Sequence, residues 1–217
     1  MYQDPEEAAV QMAEALAAYH GSHPLVLAIA RGAVPIGEFV ARALEGDFDV
    51  ALVGRVGAQY NVAYAVGAID ESGMSYLPPT SAVGDAGNAY LERERSSLLR
   101  HLRERRHLYT PHRARLTATC RVVIVVDDGI LTGMSMIAAL RALRREAPAR
   151  LVCAVPVAAP TALGAVREYA DEMVCLAAPP GFRDLRQAYR ERHAISDAEI
   201  AARLRASGGP AMTPRQA

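Results

Sequence analysis

Hydrophobic positions along this chain follow two periodicities. Short runs without polar residues, such as Val122–Val126, indicate strands that are buried on both faces of a parallel sheet. Between these runs, apolar residues recur every three or four positions, as in amphipathic helices. The patterns predict strands at 25–30, 48–53, 122–126, 149–157 and 171–176, and helices at 4–19, 36–44, 88–109, 136–145, 160–168 and 196–205. Their alternation predicts an α/β fold with a doubly wound, mainly parallel sheet flanked by helices.

Two segments between these elements have weaker patterns. Residues 54–69 are rich in glycine and too long for a tight connection, so a mobile loop is expected there. A loop that closes over a site would exclude water from a reactive intermediate. Residues 69–77 predict a hairpin, because 70–74 supply residues that favour a turn.

Composition narrows the class of protein. The 217 residues are 51% hydrophobic, which is enough for the core of one α/β domain. Acidic and basic residues both number 24, and a net charge of zero argues against nucleic acid as a partner. All basic residues are arginines, which suit bidentate contacts with phosphate.

The cysteines and the hydropathy of the chain together predict its cellular compartment. Cys120, Cys153 and Cys175 are far apart, and two of them lie in strand-like runs, so reduced core residues are expected rather than disulfides or a metal site. The chain shows no signal sequence and no apolar run of about 18 residues. A cytoplasmic protein without a membrane partner is therefore expected.

The run 122–126 ends at two adjacent carboxylates, Asp127 and Asp128, and a loop of small residues at 129–135 leads into a helix. In open α/β sheets, ligands bind at the carboxyl ends of the strands. A helix start offers unpaired N–H groups to a phosphate, and neighbouring carboxylates can hold sugar hydroxyls or a hydrated Mg²⁺. This turn is therefore a candidate site for a phosphorylated ligand.

The segment 127–135, Asp-Asp-Gly-Ile-Leu-Thr-Gly-Met-Ser, resembles the 5-phosphoribosyl-1-pyrophosphate (PRPP) binding motif of type I phosphoribosyltransferases. The segment 30–35, Ala-Arg-Gly-Ala-Val-Pro, resembles the pyrophosphate loop of the same family. The resemblance implies the type I phosphoribosyltransferase fold in one domain over 1–206. The N- and C-terminal segments, about 1–20 and 178–206, would form a small hood, and 207–217 would be a flexible tail.

The resemblance also implies a role for each residue of the two motifs. Asp127 and Asp128 would bind the ribose hydroxyls, face the positive sugar and hold Mg²⁺ through water. Arg31 and the loop residue Arg55 would complete the catalytic set. The 5′-phosphate would be bound by Gly129, Ile130, Leu131, Thr132, Gly133, Met134 and Ser135. The pyrophosphate would be bound by Arg31, Gly32 and Ala33.

Several positions depart from the resembled patterns. Gly54 and Ala63 stand where a bacterial subfamily of phosphoribosyltransferases has a basic residue and a glutamate, and Arg192 stands where its tail has a phenylalanine. Leu131 stands where purine-salvage relatives often have an aspartate, and leucine cannot transfer a proton. We therefore expect an acceptor other than hypoxanthine or guanine, and the changed tail residues indicate a different or more polar one.

The function implied is transfer of the phosphoribosyl group of PRPP, with Mg²⁺ as cofactor, to a nucleophilic nitrogenous acceptor with release of pyrophosphate. PRPP and a small-molecule acceptor are the expected partners, and a homodimer is the expected assembly. One alternative is a sensor or regulatory homologue that binds PRPP or a nucleotide without catalysis. Another is a generic α/β nucleotide-binding or phosphatase-like protein.

Overall fold

The computed structural model describes residues 1–29, 31–58, 61–77, 85–111 and 113–207, without the side chains of 61–65 and 85–88. In chain order its strands are β1 (Leu25–Ile29), β2 (Asp47–Ala51), β3 (Val53–Ala58), β4 (Asn61–Asp70), β5 (Ser75–Tyr76), β6 (Val122–Val126), β7 (Arg150–Val157) and β8 (Glu172–Ala177). Its α-helices are α1 (Pro5–Ala15), α2 (Val34–Ala43), α3 (Asp85–Tyr109), α4 (Met134–Arg144), α5 (Pro160–Arg167) and α6 (Asp197–Ala206). Short 3₁₀ turns lie at Ala17–Tyr19 and Leu185–Gln187.

The main sheet contains five parallel strands in the order β2-β1-β6-β7-β8. Helices flank it, and Val123 to Val126 of the central strand are fully buried, as expected for a strand covered on both faces. The order reverses between the neighbours β1 and β6. Ligands bind beside such a reversal in doubly wound sheets. The predicted fold class is therefore confirmed, and the carboxyl ends of β1 and β6 are the place to look for a site.

The predicted strands of the main sheet agree with the observed ones to within two residues at each end. Helix α1 begins as expected, because the Asp4 side chain accepts a hydrogen bond from the Glu7 N–H at 2.8 Å. It ends at Ala15 rather than at 19, and a 3₁₀ turn follows. Helix α6 has the predicted capping box of Ser196 and Glu199.

The expectation of a mobile loop at 54–69 is wrong. Strands β3 and β4 pair antiparallel through this segment and, with β5, form a second, three-stranded sheet. The strands were missed because glycine and alanine replace the alternating bulky and polar residues that usually indicate a strand. These small residues allow the backbones to pack closely. A Cβ atom at Gly67, for example, would lie 2.5 Å from the Tyr76 carbonyl oxygen of β5. Residues 59–60, which connect β3 to β4, lie outside the described part.

The predicted hairpin at 69–77 is confirmed as the β4–β5 pair, with Ile69 opposite Ser75. Its turn is held by Asp70, whose Oδ1 accepts hydrogen bonds from the Ser72 hydroxyl and the Met74 N–H, each at 2.7 Å. Local side-chain bonds of this kind are the reason that aspartate favours turns. Helix α3 contacts β3 and β4, so the second sheet is attached to the rest of the fold through this helix and α4.

The two ends of the chain meet beside the main sheet. Tyr2 forms a parallel bridge with Tyr189, and its N–H donates to the Ala188 carbonyl at 2.8 Å. The Tyr2 hydroxyl donates to the Pro156 carbonyl near the end of β7 at 3.0 Å, which fixes the N-terminus at the carboxyl edge of the sheet. The domain boundary at 206 stays a prediction, and 208–217 lie outside the described residues.

The three cysteines are free thiols in different environments. Cys153 is buried in β7, Cys175 is half-buried in β8, and Cys120 is exposed. The expectation of a core position is therefore wrong for Cys120, which lies in a turn with a φ of 57°. Among the described residues, no helix combines the length and the apolar character that crossing a membrane requires.

Candidate active site

A cleft of about 560 Å³ lies at the carboxyl ends of β1 and β6, where the strand order reverses. The structure brings together there most of the site residues predicted from the sequence: Arg31, Gly32, Arg55, Asp127, Asp128, Gly129, Ile130, Leu131, Thr132, Gly133, Met134 and Ser135. Ala33 is different, because it is fully buried behind Gly32 and does not line the cleft. Ala30 lies outside the described residues.

The loop 129–135 is anchored at its start and open at its end. The Ile130 N–H donates to the Val157 carbonyl of β7 at 2.9 Å, and the Ile130 carbonyl accepts from the Ala159 N–H at 2.7 Å. Ile130 is itself buried, so it fixes the loop rather than offering its side chain to a ligand. A Cβ atom at Gly129 would lie 2.5 Å from Leu185 Cδ2, because the C-terminal segment packs directly on the loop.

Gly133 sets the geometry of the helix start. Its φ of +80° is left-handed, and a Cβ atom there would lie 2.7 Å from Val166 Cγ2, so only glycine fits without strain. Helix α4 begins at the next residue. Within the described part of the chain, no protein acceptor pairs with the backbone N–H groups of Leu131 to Ser135. These groups and the positive end of the helix dipole line a cradle whose chemistry suits an anionic ligand.

In the acidic pair next to this cradle, the Asp128 side chain is buried and the Asp127 residue is half-buried. Asp128 is only 5% exposed, and its carboxylate is ion-paired with the guanidinium of Arg192. The Tyr189 hydroxyl donates to the Asp128 carbonyl at 2.6 Å, and the Asp128 N–H donates to Asp127 Oδ1 at 2.9 Å. Burial and the neighbouring charge of Asp128 raise the pKa of Asp127 well above its usual range. The pair therefore holds a proton more readily than two free carboxylates would.

Replacing Asp127 with Asn is expected to raise the melting temperature at pH 8 by about 2–4 °C. A carboxyl with a raised folded pKa contributes stability below its unfolded pKa, and this contribution is lost as the pH rises through the folded value. Asparagine has no proton to lose there. The advantage of Asp127→Asn should therefore be present at pH 8, shrink as the pH falls and disappear below about pH 3.9, the unfolded pKa of aspartate.

A series of melting temperatures between these pH values tests the expectation. Asp128→Asn is the matched control, since it breaks the pair with Arg192 and should lower the melting temperature at pH 8 instead. A difference between wild type and Asp127→Asn that does not vary with pH would contradict a raised pKa at Asp127.

The predicted arginines have different partners. Arg31 donates to Asp197 of α6 at 3.1 Å, so the C-terminal helix positions a side chain of the predicted pyrophosphate loop. Asp197 also accepts from the Tyr109 hydroxyl of α3, and burial together with this contact raises the pKa of Tyr109. Arg55 is exposed on β3, and no ion pair or hydrogen bond of its side chain is found in the described part of the chain. It is therefore free to contact an anionic ligand.

Among the described residues that line the cleft, eight were not predicted as site residues: Ile29, Val53, Gly54, Leu98, Arg105, Met136, Leu185 and Arg192. Arg192 and Leu185 come from the C-terminal segment, and Arg105 comes from α3, where its Nε lies 3.9 Å from Asp197 Oδ1. The substitution at Arg192 could have indicated its importance, but sequence reasoning assigned it only to the choice of acceptor. Leu185 and Arg105 carried no signal, because isolated residues of these types occur throughout the chain.

The carboxylates of the cleft fit a Mg²⁺ ion only in part. Among the described residues, no group of three or more His, Cys, Asp or Glu side chains could enclose a metal. Asp127 and Asp128 supply carboxylate oxygens, but Arg192 already occupies one carboxylate. Mg²⁺ commonly keeps several waters and takes further oxygens from substrate phosphates. The residues therefore fit a Mg²⁺ ion that arrives with a phosphorylated substrate.

Comparisons with known proteins identify the family to which the chain belongs. The family model for the phosphoribosyl transferase domain matches residues 1–182. Two proteins of Mycobacterium tuberculosis, from strains CDC 1551 / Oshkosh and H37Rv, are provisionally named phosphoribosyl transferases and are each 35% identical over 207 residues. These matches cover 94% of this chain but 46% of each relative. The chain therefore spans about half the length of the curated relatives it matches.

Solved structures lead to the same fold. The crystal structure of TT1426 from Thermus thermophilus is 38% identical, with a TM-score of 0.82 over 96% of this chain and 100% of that chain. A hypothetical protein from Neisseria gonorrhoeae with bound ppGpp has a TM-score of 0.50 at 13% identity, over 96% of this chain and 95% of that chain, which shows a shared fold alone. Since the family model covers well over half of its length, this chain belongs to the phosphoribosyl transferase domain family.

Proposed function

We propose that this protein binds PRPP with Mg²⁺ and transfers its 5-phosphoribosyl group to a nucleophilic nitrogenous acceptor, with release of pyrophosphate. The observation that carries the proposal is the pairing of two features across one cleft. The anion cradle of 131–135 and the acidic pair lie after β6, and the Arg31–Gly32 turn lies after the neighbouring strand β1. PRPP has a phosphate, a ribose and a diphosphate, and the cleft offers a matching group for each.

Different residues of the cleft would bind different parts of PRPP. The N–H groups of 131–135, with the hydroxyls of Thr132 and Ser135, would bind the 5′-phosphate. Asp127 and Asp128 would bind the ribose hydroxyls and stabilise the positive charge that develops on the sugar. Mg²⁺, when bound, would supply charge neutralisation for the diphosphate. Arg31, Gly32 and Arg55 would hold the departing diphosphate from the opposite side.

The acceptor must already be a good nucleophile, because the cleft offers few groups that could act as a general base. Apart from Asp127, Asp128 and arginines, the described lining of the cleft contains no ionisable side chain. Leu131 and Leu185 present apolar surface instead. A ring nitrogen or amine that is already unprotonated suits such a site, since leucine cannot act as a general base. This favours an acceptor with an apolar face and an intrinsically nucleophilic nitrogen.

The proposal is tested first by calorimetric titration with PRPP in the presence of Mg²⁺. We expect the double variant Asp127→Asn plus Asp128→Asn to bind at least about 100-fold more weakly, because it removes both ribose contacts and the charges facing the sugar. The control is Glu6→Gln, which removes an exposed carboxylate from α1. Equal affinity for the double variant and the control would show that PRPP does not bind at this acidic pair.

A screen for pyrophosphate release over purines, pyrimidines and aromatic amines then tests the reaction itself. Leu131 and the closure of Asp128 by Arg192 favour a second candidate, a sensor that binds PRPP without turning it over. Tight binding of PRPP with no pyrophosphate release from any acceptor would support the sensor. Release with one class of acceptor would support the transferase and identify its substrate class.

A further inference from the structure

Arg192 lies at the junction of the two halves of the cleft. Its guanidinium contacts the Asp128 carboxylate, which follows β6. A Cβ atom placed on Gly32, which follows β1, would lie 2.9 Å from Arg192 Nη2 and would overlap the Asp128 carboxylate. Three segments that are distant in sequence therefore meet at one point. A positive charge is fixed between the predicted pyrophosphate loop and the acidic pair.

The position of this charge is set by the chain around it. Just before Arg192, the Arg190 N–H donates to the Tyr2 carbonyl at 3.1 Å, and the Glu191 N–H donates to the Gln3 carbonyl at 2.8 Å. Tyr189 adds its hydrogen bond to the Asp128 carbonyl. The backbone that carries Arg192 is thus tied to both the N-terminus and the acidic pair. A cation held in this way loses little conformational entropy when it binds an anion.

The Arg192 guanidinium also has N–H groups that Asp128 does not use. The side chain of Arg192 is 38% exposed, and Asp128 is its only hydrogen-bond or ion-pair partner in the described part of the chain. A guanidinium carries five N–H donors in a planar fork that matches two phosphate oxygens. Asp128 uses one edge of the fork at most. The remaining donors are available to an anion lying over Gly32.

We propose that Arg192 is a diphosphate-binding residue that takes over part of the charge neutralisation otherwise left to Mg²⁺. This inference rests on the proposed function, because it concerns the diphosphate of PRPP. A guanidinium between Asp128 and the diphosphate would supply positive charge next to the carboxylates that would hold Mg²⁺, and a guanidinium stays charged at every working pH. The protein should therefore bind pyrophosphate and PRPP appreciably without a metal.

The test is calorimetric titration with inorganic pyrophosphate and with PRPP, each in EDTA and in excess Mg²⁺. We expect wild type to bind both ligands in EDTA. Arg192→Met should lose about 10- to 100-fold in affinity in EDTA and clearly less in Mg²⁺, because the metal then supplies the missing charge. Arg192→Lys should give an intermediate result, since lysine keeps the charge but loses the fork.

Arg190→Met is the matched control, because Arg190 is an exposed arginine two residues earlier and its substitution should leave all four affinities unchanged. Melting temperatures show whether Arg192→Met folds, and Arg192→Lys provides a reading if it does not. If Arg192→Met binds in EDTA as tightly as wild type, or more tightly, Arg192 is no diphosphate contact and this inference alone is overturned. If wild type binds neither ligand even with Mg²⁺, the proposed function fails and this inference fails with it.

Discussion

Replacing Arg106 with Met is expected to lower the free energy of unfolding by about 3–5 kcal/mol. The Arg106 guanidinium, on α3, donates to Asp49 Oδ1 at 2.9 Å, to Glu71 Oε1 at 2.7 Å and to the Val50 carbonyl at 2.7 Å. Burial alone would lower its pKa, but the bonds to Glu71 and Asp49 raise it above the usual value. Methionine would leave the fully buried Asp49 carboxylate without this partner.

Another arginine near Asp49 is a poor replacement. Arg113 Nη2 lies 3.2 Å from Asp49 Oδ1 but makes no hydrogen bond there, and Asp49 Oδ2 has no hydrogen-bond partner in the described part of the chain. Removing the Arg106 guanidinium would therefore weaken a network in which some buried polar atoms already lack hydrogen-bond partners. It should also loosen the attachment of the second sheet, since Glu71 directly follows β4 and Asp49 belongs to β2.

Urea denaturation measures this expectation. Arg103→Met is the control, because Arg103 lies on the exposed side of the same helix and its loss should change stability by no more than about 0.5 kcal/mol. Buried ion pairs can sometimes be replaced by apolar residues at no cost. Equal stability of the two variants would therefore contradict the expectation that this network stabilises the fold.

Replacing Gly32 with Ala is expected to weaken PRPP binding by about 100-fold. The added Cβ atom would overlap Asp128 Oδ2 and would lie 2.7 Å from Asp128 Cγ, closer than carbon atoms approach one another. Either the Arg31–Gly32 turn or the carboxylate must move. Since Asp128 is bound to Arg192 and Tyr189, a shift there disturbs the acidic pair and the diphosphate side of the cleft together.

Gly164→Ala is the matched control for this change. Gly164 lies in α5, where an added Cβ meets no atom within 4 Å, so the variant should bind PRPP normally and be more stable by about 0.5–1 kcal/mol. Calorimetric affinities and melting temperatures of both variants separate a local effect from unfolding. Normal PRPP binding by Gly32→Ala would place the diphosphate away from this turn.

The main sheet and half of the cleft could be predicted from the sequence because their signals are local. An apolar run such as Val122–Val126 has the length and composition of a buried parallel strand. The end of the run therefore predicts where the strand ends and where the site residues begin. Once Asp127 and Gly32 follow neighbouring strands, the topology alone brings them together. That β1 and β6 are neighbours is a long-range contact. The expectation that both turns serve one site came from the resemblance to phosphoribosyltransferase motifs.

The second sheet and the role of Arg192 could not be predicted in this way. In β3 and β4, glycine and alanine allow close backbone contact, so the alternation of bulky residues that reveals a strand is weak. Arg192 reaches Asp128 across 64 residues of sequence. Nothing near either residue indicates that partner, because one exposed arginine resembles another until the fold places it.

The meeting of the two chain ends has a consequence for biosynthesis. Tyr189 and Arg192 reach Asp128 from 61 and 64 residues further along the chain. At about 5–20 residues per second, the ribosome needs on the order of 3–13 s to deliver this segment after β6 has been made. During that interval the acidic pair has neither its tyrosine nor its arginine. A nascent chain therefore lacks the finished cleft until residue 192 has emerged.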